Sequence, residues 1–393
     1  MLSFDAVLMS DAQSEPWGGQ TCYESNPYDA APETGVTRHY NFTLSRQVIN
    51  IDGYDNLAIL VNDLFPGPLI EANWGDWIDV DVTKHLDEGS TLHWHGFKQT
   101  GTPWYDGSPG IGQCPIVPGK TLKYRFRAEQ YGHYSAQYAD DAVGPIVIYG
   151  PKSADYDHDL GPVMLSDYYD RPYFGPVADA TGTSEDFDVY VPASDNNFIN
   201  GRPSYAYNGS LTGTHSSACD PSEIDTGLET FRFKSGKSDR LRLINSGAAA
   251  FQYFSIDEHV LEVIAVDFTP IKPYNTTVLP LGIGQRANVL IHGSQAPDAA
   301  YWMRATVGTN CSRGSVNETK AMVYYDQAPQ DARPTSQPYY IPNTWCTDVP
   351  LDKTIPLYPK LRELEVPGSI QQTCRDWQAY SEGNVVEQSD AGL

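Results

Sequence analysis

The strongest constraint on this chain is its punctuation. Short runs rich in Val, Ile, Leu, Phe and Tyr recur along it, and Gly, Pro, Asn and Asp cut each one before a helical period develops. Ala58–Val61, Trp77–Val82, Leu122–Phe126, Pro145–Tyr149, Thr230–Phe233, Leu241–Ile244, Val260–Val266 and Ala287–His292 are examples. Such runs at this spacing predict an all-β chain folded as sandwiches. In Leu122–Phe126, Tyr124 and Phe126 alternate with Lys123 and Arg125, the pattern of a half-buried strand. With 33 Gly and 29 Pro in 393 residues there is a turn-former for each such run.

Composition narrows the function classes. Aromatic residues make up 12% and charged residues only 19%, so the chain has the means to build cores and is not a disordered polymer. Apolar stretches such as Gly144–Tyr149 fall far short of the roughly 20 residues that cross a bilayer as a helix, so no membrane span is expected. A net charge of −24 argues against nucleic acid or an anionic membrane as partner, because both select clustered Lys and Arg.

Four segments are expected. Residues 1–31 are irregular. A first β domain covers 32–152, and the turn-rich Gly150–Pro162 marks its end. A second covers 160–325. The proline-rich, polar stretch 326–393 reads as a linker or irregular C-terminal tail. None of the six Cys sits in a Cys-x-x-Cys pair, which argues against zinc ribbons and thioredoxin-type sites. Sequons at Asn41, Asn208, Asn275, Asn310 and Asn317, alongside well-spread Cys, favour a secretory, extracellular setting. Met1–Ser14 is a poor signal peptide, since Asp5 and Asp11 interrupt its apolar character.

The chemistry concentrates in Thr91-Leu92-His93-Trp94-His95-Gly96. In an extended chain residues two apart share a face, so His93 and His95 present two imidazoles side by side, a donor pair suited to copper or zinc. Taken alone, the pattern fits a pair of strand-end histidines as well as a metal site. His39, His85, His158, His215, His259 and His292 carry no motif and are read as surface or packing residues.

The surroundings of the pair decide between these readings. The run STLHWHGFKQTGTPWYDGSPGIGQCPIVPGKTLKYRFRAEQYG (Ser90–Gly132) resembles the first domain of fungal laccases of the ascomycete type, which are multicopper oxidases. So do PETGVTRHYNFTL, FPGPLIEANWGDWIDVDV and HYSAQYADDAVGPIVIYGP. RLRLINSGAAAFQYFSIDEH, VIAVDFTPIKPY and GIGQRANVLI resemble the middle laccase domain. The resemblance implies two cupredoxin-like Greek-key β-sandwich domains in tandem and a copper cofactor. It further implies phenolic small molecules and oxygen as reactants, and secretion. It assigns His93 to a type 2 copper, and His95 and His133 to type 3 coppers. It also implies a Cys311–Cys346 disulfide, and a Cys114 that is free or mispaired, with Cys219 as the alternative partner. Asp225 and Glu229 fall near a carboxylate that in the family accepts a phenol proton; a solvated carboxylate is the simpler reading.

Two departures stand out. Gln130-Tyr131-Gly132 runs directly into His133-Tyr134-Ser135, about six residues shorter than the family pattern. The shortening removes one family histidine and most of a strand, and is expected to leave neighbouring strands without ladder partners. The chain also holds no His-Cys-His and no His-Pro-x-His-x-His, the family's type 1 and third-domain segments. Two functions follow as expectations: a laccase-like oxidase, inactive as this chain alone, or a non-catalytic copper-binding or interaction module of two cupredoxin-like domains.

Overall fold

The computed structural model describes residues 17, 19–23, 30–136, 142–183, 192–204, 227–329, 331–341, 346, 350 and 352–357. Among the described residues seven strands build the first domain: β1 (Thr37–Asn50), β2 (Asp55–Val61), β3 (Ile70–Asn73), β4 (Trp77–Lys84), β5 (Thr121–Arg127), β6 (Gly132–Ala136) and β7 (Gly144–Tyr149). They form two sheets, ordered β2-β1-β4-β5 and β3-β7-β6. The β4 sequence shows why they pack. Ile78, Val80 and Val82 are fully buried in a core with Leu44, Trp74, Trp94, Tyr124 and Phe126. The alternate residues Asp79 and Asp81 face Arg125 and Lys123 across the β4–β5 ladder, each pair closing at 3.1 Å.

The second domain follows in the same style. β8 (His158–Tyr168), a short helix α1 (Phe174–Thr181), β9 (Asn196–Ile199), β10 (Arg202–Pro203), β11 (Thr230–Phe233), β12 (Ser238–Asn245) and β13 (Gln252–Ile256) come first. Then come β14 (Leu261–Val266), β15 (Thr269–Thr276), β16 (Leu279–Leu281), β17 (Arg286–His292), β18 (Ala300–Val307) and β19 (Glu318–Tyr325). One sheet runs β10-β9-β8-β12-β17-β14-β15 and the other β11-β19-β18-β13-β16. Between them lie Leu241, Leu243, Phe254, Val263, Val289, Met303 and Val323, all fully buried. Every run singled out in the sequence falls on a strand. The helix α1 carried no periodic signal; it stops at Gly182, whose left-handed φ of 66° closes the last turn.

Two expectations are corrected here. The shortened stretch at Gly132/His133 leaves no gap in the ladder, because Gly132–Ala136 itself forms β6 and pairs antiparallel with β7. The backbone of β7 is paired with β6 on one side and with β3 on the other. The stretch after residue 326 is also more than a linker where it is described. Its prolines keep it out of the sheets, yet side chains and short bridges fasten it to the second domain. Ser336 Oγ donates to Asp257 at 2.9 Å, Tyr339 OH to the His259 carbonyl at 3.2 Å, and Lys272 N–H to the Ile355 carbonyl at 2.7 Å. Residues 358–393 lie outside the described residues. Cys311 and Cys346 form a disulfide with Cα atoms 6.0 Å apart, which ties this strap to the end of β18.

The two domains touch through polar bonds and an aromatic cluster. Asn56 donates to Tyr168 OH at 3.0 Å and to the Tyr169 carbonyl at 3.1 Å, and Asn196 donates to Asp52 at 2.9 Å. Phe65 packs against Tyr168 and Phe198 at 5.9 and 6.3 Å. Within the second domain, the buried Asp167 carboxylate accepts N–H bonds from Ala248, Ala249 and Ala250 at 2.6, 2.7 and 2.8 Å. Asp167→Ala leaves three backbone donors without this acceptor, only that of Ala250 buried, and is expected to cost about 2–3 kcal/mol in urea unfolding, with Asp167→Asn losing less. Cys311→Ala with Cys346→Ala opens a loop of sequence separation 35 and is expected to cost about 2–4 kcal/mol. Non-reducing peptide mapping checks the pairing itself, and an unpaired Cys311 contradicts it.

Candidate metal centre

The segment Thr91–Trp94 joins no sheet and a turn begins at His95; the Leu92 N–H goes to the Tyr124 hydroxyl at 3.2 Å. Its alternation survives all the same. Leu92 and Trp94 point into the first-domain core, Trp94 with no exposure and its ring 4.9 Å from Phe126 and 5.3 Å from Tyr124. His93 and His95 therefore point the other way, together. Their ring centroids are 5.8 Å apart and nearly perpendicular.

Each imidazole is held by a carbonyl. A 3₁₀ turn at Pro103–Tyr105 delivers Asp106, whose backbone oxygen lies 2.7 Å from His93 Nδ1. The next residue must be glycine. Gly107 has φ 87°, and a Cβ there would stand 1.9 Å from the Leu92 carbonyl oxygen. That contact brings the 106–107 loop against the His93 backbone, and Thr91 Oγ1 donates to the Gly107 carbonyl at 2.6 Å to close it. With Nδ1–H donated to Asp106, His93 keeps Nε2 as a free lone pair. His95 takes its bond from the second domain, to the backbone of Gly284. Burial, then the Arg286 guanidinium, push its pKa below the ordinary histidine value, so it is a neutral imidazole at pH 7. Gly96 lets that domain close in, since a Cβ there would meet the Phe268 ring at 2.8 Å. Two imidazoles, each bonded to a backbone carbonyl, are what a bound copper requires of its ligands and their supports.

His133 does not join them. Across the β6–β7 ladder it sits opposite Val147, while Ile146 and Ile148 supply the core. Parity thus turns its ring toward the second domain, where it is fully buried with Nε2 2.8 Å from the Leu243 carbonyl. Burial and the nearby Arg242 lower its pKa well below the usual histidine range. Among the described residues no group of three or more His, Cys, Asp or Glu is placed to hold one metal ion. The His93–His95 pair has the chemistry of two copper ligands.

The other candidates divide cleanly. Glu229 is paired with Arg202 at 3.0 Å and Asn200 at 3.1 Å, a structural arrangement, and burial raises its pKa. Asp225, Cys219 and Asn208 lie outside the described residues. Cys114 is free and exposed. Asn41, Asn275, Asn310 and Asn317 are all exposed. Sequence reasoning missed Asp106, Gly284 and Arg286, because a backbone carbonyl and a cross-domain neighbour leave no residue-type signal near the histidines. The Asp106-Gly107 dipeptide was the one available hint of a tight turn.

Comparison with known proteins agrees with this geometry. Residues 43–153 and 159–328 match two family models, each described as multicopper oxidase, and together they cover over two thirds of the chain. Laccase-2 of Botryotinia fuckeliana is 38% identical over 364 residues, spanning 90% of this chain and 60% of that protein. A laccase of Cryphonectria parasitica is 36% identical over 368 residues, spanning 87% and 57%. The crystal structure of the laccase from Botrytis aclada superposes with a TM-score of 0.75 at 38% identity, covering 86% of this chain and 61% of that one. The chain thus spans about 60% of the length of these relatives. Its two β-sandwich domains are cupredoxin-like, its cofactor is copper, and it belongs to the multicopper oxidase family.

Proposed function

We propose that this chain forms the first two domains of a laccase-type oxidase that couples oxidation of phenolic small molecules to reduction of oxygen to water. The observation that carries the reading is the His93–His95 pair, two open imidazole nitrogens anchored by carbonyls from two different domains. Copper, when bound, supplies one-electron redox chemistry. The protein's own part is to keep both rings aimed and spaced. The Asp106 carbonyl fixes the His93 tautomer, and Gly284 and Arg286 do the corresponding work at His95. Secretion and glycosylation belong to the same reading, supported by the exposed sequons and the Cys311–Cys346 disulfide.

A second reading is a copper-binding module without oxidase activity. It is favoured by the orientation of His133, whose Nε2 lies 2.8 Å from the Leu243 carbonyl. The two readings make separate predictions for the polypeptide as given. Under either, it binds at most one or two coppers, and His93→Ala with His95→Ala abolishes binding, as measured by metal analysis after dialysis. It shows no blue charge-transfer band, which needs a Cys thiolate on copper. Stoichiometric binding of four coppers refutes both. The laccase reading further predicts that appending a domain with His-Pro-x-His-x-His and His-Cys-His segments restores copper-dependent phenol oxidation; the module reading predicts that it does not. Expression in a secretory host should also give a protein whose mass falls on treatment with an N-glycosidase.

A further inference from the structure

A cavity of about 40 Å³ lies where the two domains meet. Tyr131, Gly132 and Tyr149 line it from the first domain. Arg240, Arg242 and Asn288 line it from the second. Strand parity explains the second wall. Leu241 and Leu243 turn into the second-domain core, so Arg240 and Arg242 project from the opposite face of β12. Asn288 is the direct cross-strand partner of Arg242 on β17.

The charges on this face do not balance. Asp159 takes Arg242 through Nε at 3.1 Å and Nη2 at 2.7 Å, and stands 3.7 Å from Arg240 Nη1. One carboxylate therefore serves two guanidiniums. Arg240 Nη1 donates to Tyr156 OH at 3.2 Å, but among the described residues its buried Nε–H has no partner. The neighbouring charges do not supply the missing anion. Asp267 is paired with Arg286 at 3.3 Å, Glu71 accepts the Tyr149 hydroxyl, and Lys152 adds a further cation 4.9 Å from the Tyr156 ring. Arginine stays protonated in proteins, so the surplus charge cannot be shed. Asn288 Oδ1 is also buried and without a donor, at 3% residue exposure. A half-turn of that amide presents its NH₂ group instead, at no cost in shape.

We propose that this cavity binds a halide-sized monovalent anion, held by the Arg240 Nε–H and the turned Asn288 amide, which locks the second domain against the first. The cavity, about 40 Å³, is more than the ~10–15 Å³ that one water needs and has room for a small monovalent anion. The site is separate from the histidine pair and does not depend on copper.

The test is crystallographic first. Crystals of the full chain soaked in sodium bromide should give an anomalous peak within about 3.5 Å of Arg240 Nε. In solution, Tm should rise saturably in sodium chloride relative to sodium gluconate of equal ionic strength, by about 2–4 °C at ten times Kd. Arg240→Met should abolish that difference, and Arg240→Lys, which keeps the charge without the Nε–H, should weaken the halide at least tenfold. Bromide bound only elsewhere, or equal Tm in the two salts, overturns the proposal. So does a chloride effect undiminished in Arg240→Met. If neither variant folds, the bromide map of the unaltered chain decides alone.

Discussion

Burial of Trp94 is the interaction on which the metal centre depends. Its indole has no exposure and packs on Phe126 and Tyr124. Burying an aromatic of this size contributes about 2–3 kcal/mol, which outweighs the cost of about 1–3 kcal/mol for an indole N–H without an acceptor when ring contacts are added. Because Leu92 and Trp94 occupy the core side of the segment, His93 and His95 are left to the outer one. The direction of both imidazoles is thus set by an apolar residue between them, with no ladder hydrogen bonds needed. A one-residue slip would place both rings in the core and an indole in solvent.

The same period-two rule explains the departure at His133. In β6 its parity matches Val147, on the face turned away from the first-domain core. The strand keeps its ladder by using the residues after the shortened stretch, and the cost falls on the side chain, which docks on the Leu243 carbonyl. The ladder of β6 with β7 fixes which way the imidazole points. The pairing of β6 with β7 is a local choice, and its consequence is felt at the domain interface.

Much of the fold was legible because alternation and turn residues are local signals. Tyr124 and Phe126 against Lys123 and Arg125 predicted β5 and its faces, and the His-x-His spacing predicted two imidazoles on one side. What the sequence hid is long-range. The strap at 331–341 looks like a linker because its prolines forbid ladders, and only the fold reveals the Asp257 carboxylate that receives Ser336. The short helix α1 has too few residues for a periodic pattern to be read. At the site, the histidines were visible by residue type, whereas their supports act through backbone carbonyls, which every residue possesses.

Those supports come from both sides of the interface. Asp106 belongs to the same domain as the histidines, and Gly284 belongs to the other. The spacing between the two open nitrogens is therefore a property of how the domains sit together, and not of the first domain alone. Gly96 and Gly132 mark how close that approach is, since a Cβ at either position would press on Phe268, at 2.8 and 3.3 Å. Arg286 joins the pieces: it donates to the His133 carbonyl at 3.2 Å, its charge bears on His95, and its guanidinium lies 4.4 Å from the Phe268 ring. A cation in this position disfavours protonation of His95 and thereby favours the neutral ligand form. It also opposes any further positive charge at the ring, so the histidine pair suits an ion whose charge is offset by ligands on the side facing away from the second domain.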